Sequence, residues 1–448
     1  MYSENIEELF ERKKITPGNC ILLEKGKKRY EGLLIPRINV GDPDIIVLKL
    51  DNGYNIGIKH EKGVDIKKLS KGRNIKFESS KKRIRKDDRK PTISILGSGG
   101  TIASRVDYNT GAVFPAFSPD DIMMSFPELK EIANVNSKKL FDLFSDDMTP
   151  EHWQIIAKDV AKEIKSKSDG IALMHGTDTM HYTAAALSFM LQNTPVPVIL
   201  VGSQRSSDRG SSDNAMNLVC SAILAAESDI AEVGICMHAN TSDDYCFFHQ
   251  GTKVRKMHTS RRDTFRSINA KPFAKVWYEK RRVEIMRNDY RRRKDGKLKL
   301  DVKMNPRVGI IYNHPGMQPS YVERLSEFYD GIVIAATGLG HVSTNPRGDE
   351  LAKSLVPGLK SLIESGIPVV FAPQTIYGRL NMNVYEAGRI LTSIGVIGNG
   401  CDWTPETAMV KLMWVLGHTK DMNKVRAMMM KNLAGEISER TEVEEFLA

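Results

Sequence analysis

The stretch GIALMHGTDTMHYTAAALSFML (170–191) decides the fold. Its first five residues are a short apolar, strand-prone run, HGTDT is polar, and from about Thr179 an Ala- and Leu-rich pattern predicts a helix. A strand that empties into a polar loop and then a helix is one step of a parallel sheet. The same order recurs on both sides. TISIL (92–96) runs into a glycine-rich loop, VPVILV (196–201) into a polar loop and the helical pattern DNAMNLVCSAILAA, and EVGICM (232–237) makes another strand. Further on, RVGIIYN (307–313), GIVIAAT (331–337) and IPVVFA (367–372) alternate with helical patterns. This predicts an α/β chain with a parallel-sheet core in two domains, residues 91–278 and a smaller one over 307–448.

The flanks read differently. Within 1–80, GKKRYEGLLIP, DIIVLKL and YNIGIKH are short strands separated by GDPD and the turn signal Asp51-Asn52-Gly53, which predicts a small β-barrel-like domain. KKRIRKDDRK (81–90) is a basic linker, and 279–306 is a second basic stretch, either a hairpin insertion or an inter-domain connector. A chain of 448 residues with 41% hydrophobic and 27% charged residues has ample core for two or three domains. No apolar run approaches the roughly 20 residues of a membrane span. MYSENIEELFERKK at the start carries acids and no apolar signal segment, so a cytoplasmic location is expected. Five scattered cysteines without a CxxC pair predict reduced thiols and no structural zinc. The net charge of +10 leans toward a polyanionic partner, although a basic surface also simply aids solubility.

Chemistry in such sheets gathers past the carboxyl ends of the strands. Two loops there hold threonines. Gly97-Ser98-Gly99-Gly100-Thr101-Ile102-Ala103 lets backbone N–H groups approach a ligand. A dinucleotide fingerprint would need glycine at Ile102, and no GK[ST] follows, so neither nucleotide motif fits; a plain tight turn stays open. His175-Gly176-Thr177-Asp178-Thr179 pairs a hydroxyl with a carboxylate, or else caps the next helix through Thr177 or Asp178. His175 and His181 do not have zinc-pair spacing, so no metal site is expected. No GxSxG elbow is present. Asp402-Trp403-Thr404-Pro405 reads as a helix start, and Met428-Met429-Met430 as a helix face.

GGTIAS and HGTDT, in that order, resemble the two signature motifs of the asparaginase/glutaminase family of two-domain threonine amidohydrolases. SDDM (145–148) is similar to the family's substrate-binding serine loop, and VGSQRSSDRGSSDNAMNL (201–218) to its third strand–loop–helix. Lys256, ahead of Thr264-Phe265-Arg266-Ser267, stands where the family has a catalytic lysine. The resemblance covers roughly 91–420. It implies that Thr101 attacks a side-chain amide, that Thr177 positions water and polarises the carbonyl, and that Lys256 with Asp178 completes a proton relay. Gly100 would lend N–H groups, while Ser145, Asp146 and Asp178 would hold the substrate's α-carboxylate and α-amine. Where the family has a loop tyrosine this chain offers Tyr108, and by spacing Phe114, which has no hydroxyl. Family members often borrow a second-domain carboxylate from a neighbouring subunit; Glu386 is the candidate, weighed against a plain solvated helix position.

A strand-rich front domain and a basic linker have no place in a stand-alone amidase. The whole arrangement, with GGTIASRVDYNTGAVFPAF and FHQGTKVRKMHTSRRDTFRSIN, resembles the glutaminase-type subunits of archaeal-type glutamyl-tRNA(Gln) amidotransferases. The resemblance implies release of ammonia from glutamine, or asparagine, for a partner subunit that binds tRNA(Gln). ATP and Mg would be used by that partner, with no cofactor in this chain and no membrane. A homodimer within a heterotetramer is expected. Two other readings stay open: a free cytoplasmic L-asparaginase, and a basic RNA-binding scaffold with a vestigial amidase site.

Overall fold

The computed structural model describes residues 2–35, 42–50, 55–69, 87–99, 104–106, 113–115, 122, 126–205, 212–443 and 446. Gly100, Thr101, Tyr108, the Asp51-Asn52-Gly53 turn and most of the 81–90 run lie outside them.

In the front domain a five-stranded antiparallel sheet runs in the order Asn55–Lys59, Ile45–Lys49, Lys28–Leu34, Cys20–Lys25, Val64–Lys68. Alternate residues Ile21, Leu23, Leu34, Ile46, Leu48 and Ile66 are fully buried, as expected for a sheet with one covered face. The cover is a helix, Glu4–Arg12, whose Ile6 and Phe10 pack into the same cluster.

The main domain is built on an eight-stranded sheet. Its order is Arg282–Ile285, Ala274–Trp277, Tyr245–Gln250, Val233–His238, Val198–Val201, Gly170–Met174, Thr92–Gly99, Asn134–Leu143. The last five are mutually parallel and the first three antiparallel. Parallel strands are covered on both faces, which is why every residue of Gly170–Met174 and of Val198–Val201 is buried. Arg282–Ile285, inside the stretch read as a hairpin insertion or a connector, forms the edge hairpin of this sheet with Ala274–Trp277.

A smaller three-stranded parallel sheet follows, Val308–Tyr312, Gly331–Ala336 and Val369–Pro373. Each sheet packs one face on an apolar cluster of its own, and the two domains share a third cluster between them. Helix Met180–Met190 of the first domain packs against helix Pro405–Leu416 of the second, with Phe189 and Trp414 stacked at a centroid distance of 6.4 Å. One apolar cluster runs from Leu173 and Leu200 through Phe189 and Trp403 to Val333 and Val370. Among the described residues no helix is long and apolar enough to cross a membrane, and all five cysteines are free thiols.

Candidate active site

The strands Thr92–Gly99 and Gly170–Met174 are neighbours, with Gly97 opposite Met174. Their carboxyl ends therefore open side by side, one toward the segment that contains Thr101 and the other directly into HGTDT. Gly99 has φ +108°, and a Cβ there would lie 2.1 Å from the Leu143 carbonyl oxygen. That position is closed to any other residue.

The HGTDT loop is held from several sides. Helix Met180–Met190 takes Thr179 as its N-cap, so Thr177 and Asp178 do not occupy the cap position. The Thr179 hydroxyl instead donates to the Ser145 carbonyl oxygen at 2.6 Å. Gly176 lets the Ser145 turn come close: a Cβ on Gly176 would stand 2.9 Å from the Ser145 Cβ. Gly202 does the same for Thr177, whose Cγ2 would lie 2.8 Å from an added Cβ. His175 is buried beneath the loop, and burial pushes its pKa down to about 4. The ring is therefore neutral at pH 7. Nδ1 donates to the Gly176 carbonyl oxygen at 2.6 Å, which leaves Nε2 to accept from the Thr183 hydroxyl at 2.8 Å.

Within this frame Lys256 Nζ donates both to Thr177 Oγ1, at 3.0 Å, and to Asp178 Oδ1, at 2.6 Å. Three residues drawn from two segments 78 positions apart thus share one hydrogen-bonded centre. Thr177 and the Lys256 side chain are almost enclosed, whereas the Asp178 side chain is 60% exposed and opens outward. Such a gradient suits a site whose proton-handling groups are shielded and whose acidic mouth meets a charged amine. Ser145 is buried and Asp146 exposed, on the short 3₁₀ turn Ser145–Asp147 beside Gly176. Glu386 is an exposed first residue of helix Glu386–Ser393. No group of three His, Cys, Asp or Glu side chains among the described residues is placed to hold a metal ion.

Of the residues read from sequence, Thr177, Asp178, Lys256 and Ser145 come together, with Asp146 at the rim. Phe114 lies on the strand Val113–Pro115. Sequence reading did not single out Thr179, Thr183 or Gly202 as supports. A threonine one turn into an apolar helix, eight residues after His175, was the available signal for Thr183.

Comparison with known proteins identifies the family. Residues 92–291 match the family model "Asparaginase, N-terminal", 307–429 the "Glutaminase/Asparaginase C-terminal domain", and 15–69 the "GatD N-terminal domain". The chain is 48% identical over 448 residues to the GatD subunit of glutamyl-tRNA(Gln) amidotransferase from Pyrococcus furiosus, covering 99% of each. It is 45% identical to the protein of the same name from Methanobrevibacter smithii, over 100% of this chain and 99% of the relative. Among solved structures, the thermostable L-asparaginase from Thermococcus kodakarensis superposes with a TM-score of 0.68 at 31% identity, over 78% of this chain and 100% of that one. L-asparaginase I from Vibrio cholerae gives 0.65 at 30%, over 78% and 99%. With its strand-rich front domain joined to an asparaginase core, the chain belongs to the GatD family of glutamyl-tRNA(Gln) amidotransferase subunits.

Proposed function

We propose that this chain is the glutaminase subunit of a tRNA-dependent amidotransferase. It releases ammonia from glutamine, and a partner subunit that binds tRNA(Gln) and ATP uses that ammonia to convert Glu-tRNA(Gln) to Gln-tRNA(Gln). The observation that carries the reading is the Lys256 ammonium bridging the Thr177 hydroxyl and the Asp178 carboxylate. In the proposed reaction the Thr101 oxygen attacks the side-chain amide carbon. The proton lost by the Thr101 hydroxyl passes to the amide nitrogen as the C–N bond breaks and ammonia leaves. A water oriented by Thr177 then hydrolyses the acyl-enzyme to glutamate, its proton returning to the Thr101 oxygen. Thr177 accepts a hydrogen bond from Lys256, so its own O–H proton is directed elsewhere, toward the reacting carbonyl. Gly100 and the glycine loop supply N–H groups for the developing oxyanion, Tyr108 orients the nucleophile, and Ser145, Asp146 and Asp178 hold the α-carboxylate and α-amine. A homodimer of this chain within a heterotetramer, in the cytoplasm, completes the proposal.

The test is Gln-tRNA(Gln) formation by the complex of this chain with its partner subunit. Thr101→Ala removes the glutamine-dependent product, and ammonium salt restores it because the amidating site is untouched. Normal product from glutamine with Thr101→Ala overturns the mechanism. The structural likeness to L-asparaginases favours one second reading, a free asparaginase. It requires the isolated chain to prefer asparagine and to gain nothing from partner and tRNA.

A further inference from the structure

Lys256 is the last residue of a three-residue strand, Val254–Lys256, which among the described residues pairs only with Phe265–Ser267 in a two-stranded sheet. So short a ribbon is not stable by itself. Side chains alternate along it: Lys256 faces the site, while Arg255 and, just before the strand, Lys253 point the other way, into the smaller domain. There each meets an acid. Lys253 Nζ lies 2.8 Å from Asp402 Oδ1, with both side chains buried. Arg255 Nε donates to Glu406 Oε1 at 2.8 Å, the two side chains being 25% and 5% exposed.

Asp402 and Glu406 stand at the N-terminal end of helix Pro405–Leu416, capped by Thr404, where unpaired N–H groups favour acidic side chains. That helix is fixed in turn by the cluster shared between the domains. The second Glu406 oxygen is buried and has no hydrogen-bond partner among the described residues, which leaves the guanidinium as its main compensation. Beside Arg255 the carboxylate outweighs the effect of burial and raises the arginine's pKa. His181, Tyr182 and Tyr312 also feel the Glu406 charge.

We propose that Glu406, acting through Arg255, is a positioning residue for amide hydrolysis: it fixes the strand from which Lys256 reaches Thr177 and Asp178. The inference rests on the reading of Lys256 as part of the proton relay. The lysine's two contacts, at 3.0 and 2.6 Å, tolerate little drift of the strand. A displacement of ~1 Å originating away from the chemistry costs up to roughly 10²-fold in rate.

The experiment measures ammonia release from glutamine by the full chain in complex with its partner subunit. Glu406→Ala lowers kcat by a factor on the order of 10–10² while KM changes less than about threefold. Glu406→Gln, whose amide oxygen still accepts from Arg255 Nε, recovers most of the loss. As a control, Lys411→Met with Glu436→Leu removes a different fully buried ion pair and leaves kcat unchanged. If Glu406→Ala keeps wild-type kcat and only its thermal midpoint falls, the residue is merely structural and the proposal is overturned. Should Glu406→Ala fail to fold, Arg255→Gln gives the same kcat-selective loss, and a wild-type kcat there overturns the proposal equally. Lys256→Met separates the two levels: full activity in that variant sinks the role of Lys256 itself.

Discussion

The Thr179 hydroxyl donates to the carbonyl oxygen of Ser145 across 2.6 Å, so the HGTDT loop and the serine turn are tied into one rigid wall. The bond joins residues 34 positions apart and does not involve the hydrogen bonds made by Lys256. Thr179→Val keeps the shape and deletes the donor. A neutral hydrogen bond of about 1 kcal/mol translates into about a fivefold rise in KM for glutamine with kcat nearly unchanged. Steady-state kinetics checks it, and an equal fall in kcat with KM constant would place the wall in transition-state binding instead.

Lys256→Met removes the donor shared by Thr177 and Asp178. If Lys256 takes part in proton transfer as proposed, its loss costs roughly 10²–10⁴ in kcat. Amidation supported by ammonium salt stays normal, because that reaction bypasses this site. Parallel assays with glutamine and with ammonium separate the two effects, and a matching loss in both would point to damage of the assembly.

Gly202→Ala inserts a Cβ 2.6 Å from Met180 Cε, 2.7 Å from the His175 carbonyl oxygen and 2.8 Å from Thr177 Cγ2. The methionine end can shift; the carbonyl and the threonine cannot without moving the loop. Overpacking of this kind costs about 1–3 kcal/mol of stability, and the displaced Thr177 lowers kcat as well. Denaturant unfolding and glutaminase turnover, measured on the same preparation, test both halves.

Three buried histidines make stability fall in mild acid. Burial lowers His175 and His181 to about 4 and His249 to about 3, all below the value of roughly 6.5 expected when unfolded. The unfolded chain therefore takes up protons first. The stabilisation is complete above pH 6.5 and drains away as pH falls toward 4, at about 2 kcal/mol per histidine between pH 7.5 and 5. His175→Gln reduces that slope by about one histidine's share. Chemical unfolding at a series of pH values reads it directly, and an unchanged slope would mean that His175 titrates normally in the fold.

Much of this was legible in the sequence because parallel α/β sheets put chemistry at strand ends. GIALM was delimited to the residue, and HGTDT had to lie at its carboxyl end. Lys256 joined Thr177 through motif order rather than local pattern, since its strand is only three residues long. In the front domain the helix Glu4–Arg12 and the strands Cys20–Lys25 and Val64–Lys68 were not anticipated. NIEELFER is too short and acidic to announce itself, and its Ile6 and Phe10 become an apolar face only once the sheet is beneath them. The cap reading of Thr177 and Asp178 gave way because Thr179 takes the cap position. Arg255 and Glu406 are 151 residues apart and sit in different domains, where no periodicity can link them.

The stacking of Phe189 on Trp414 inside an apolar cluster that both lobes share opposes hinging of the smaller lobe against the larger. A shift of helix Pro405–Leu416 would therefore be felt, through Glu406 and Arg255, at the strand that carries the ammonium tip. Governing the amidase site from that distance would take no large motion.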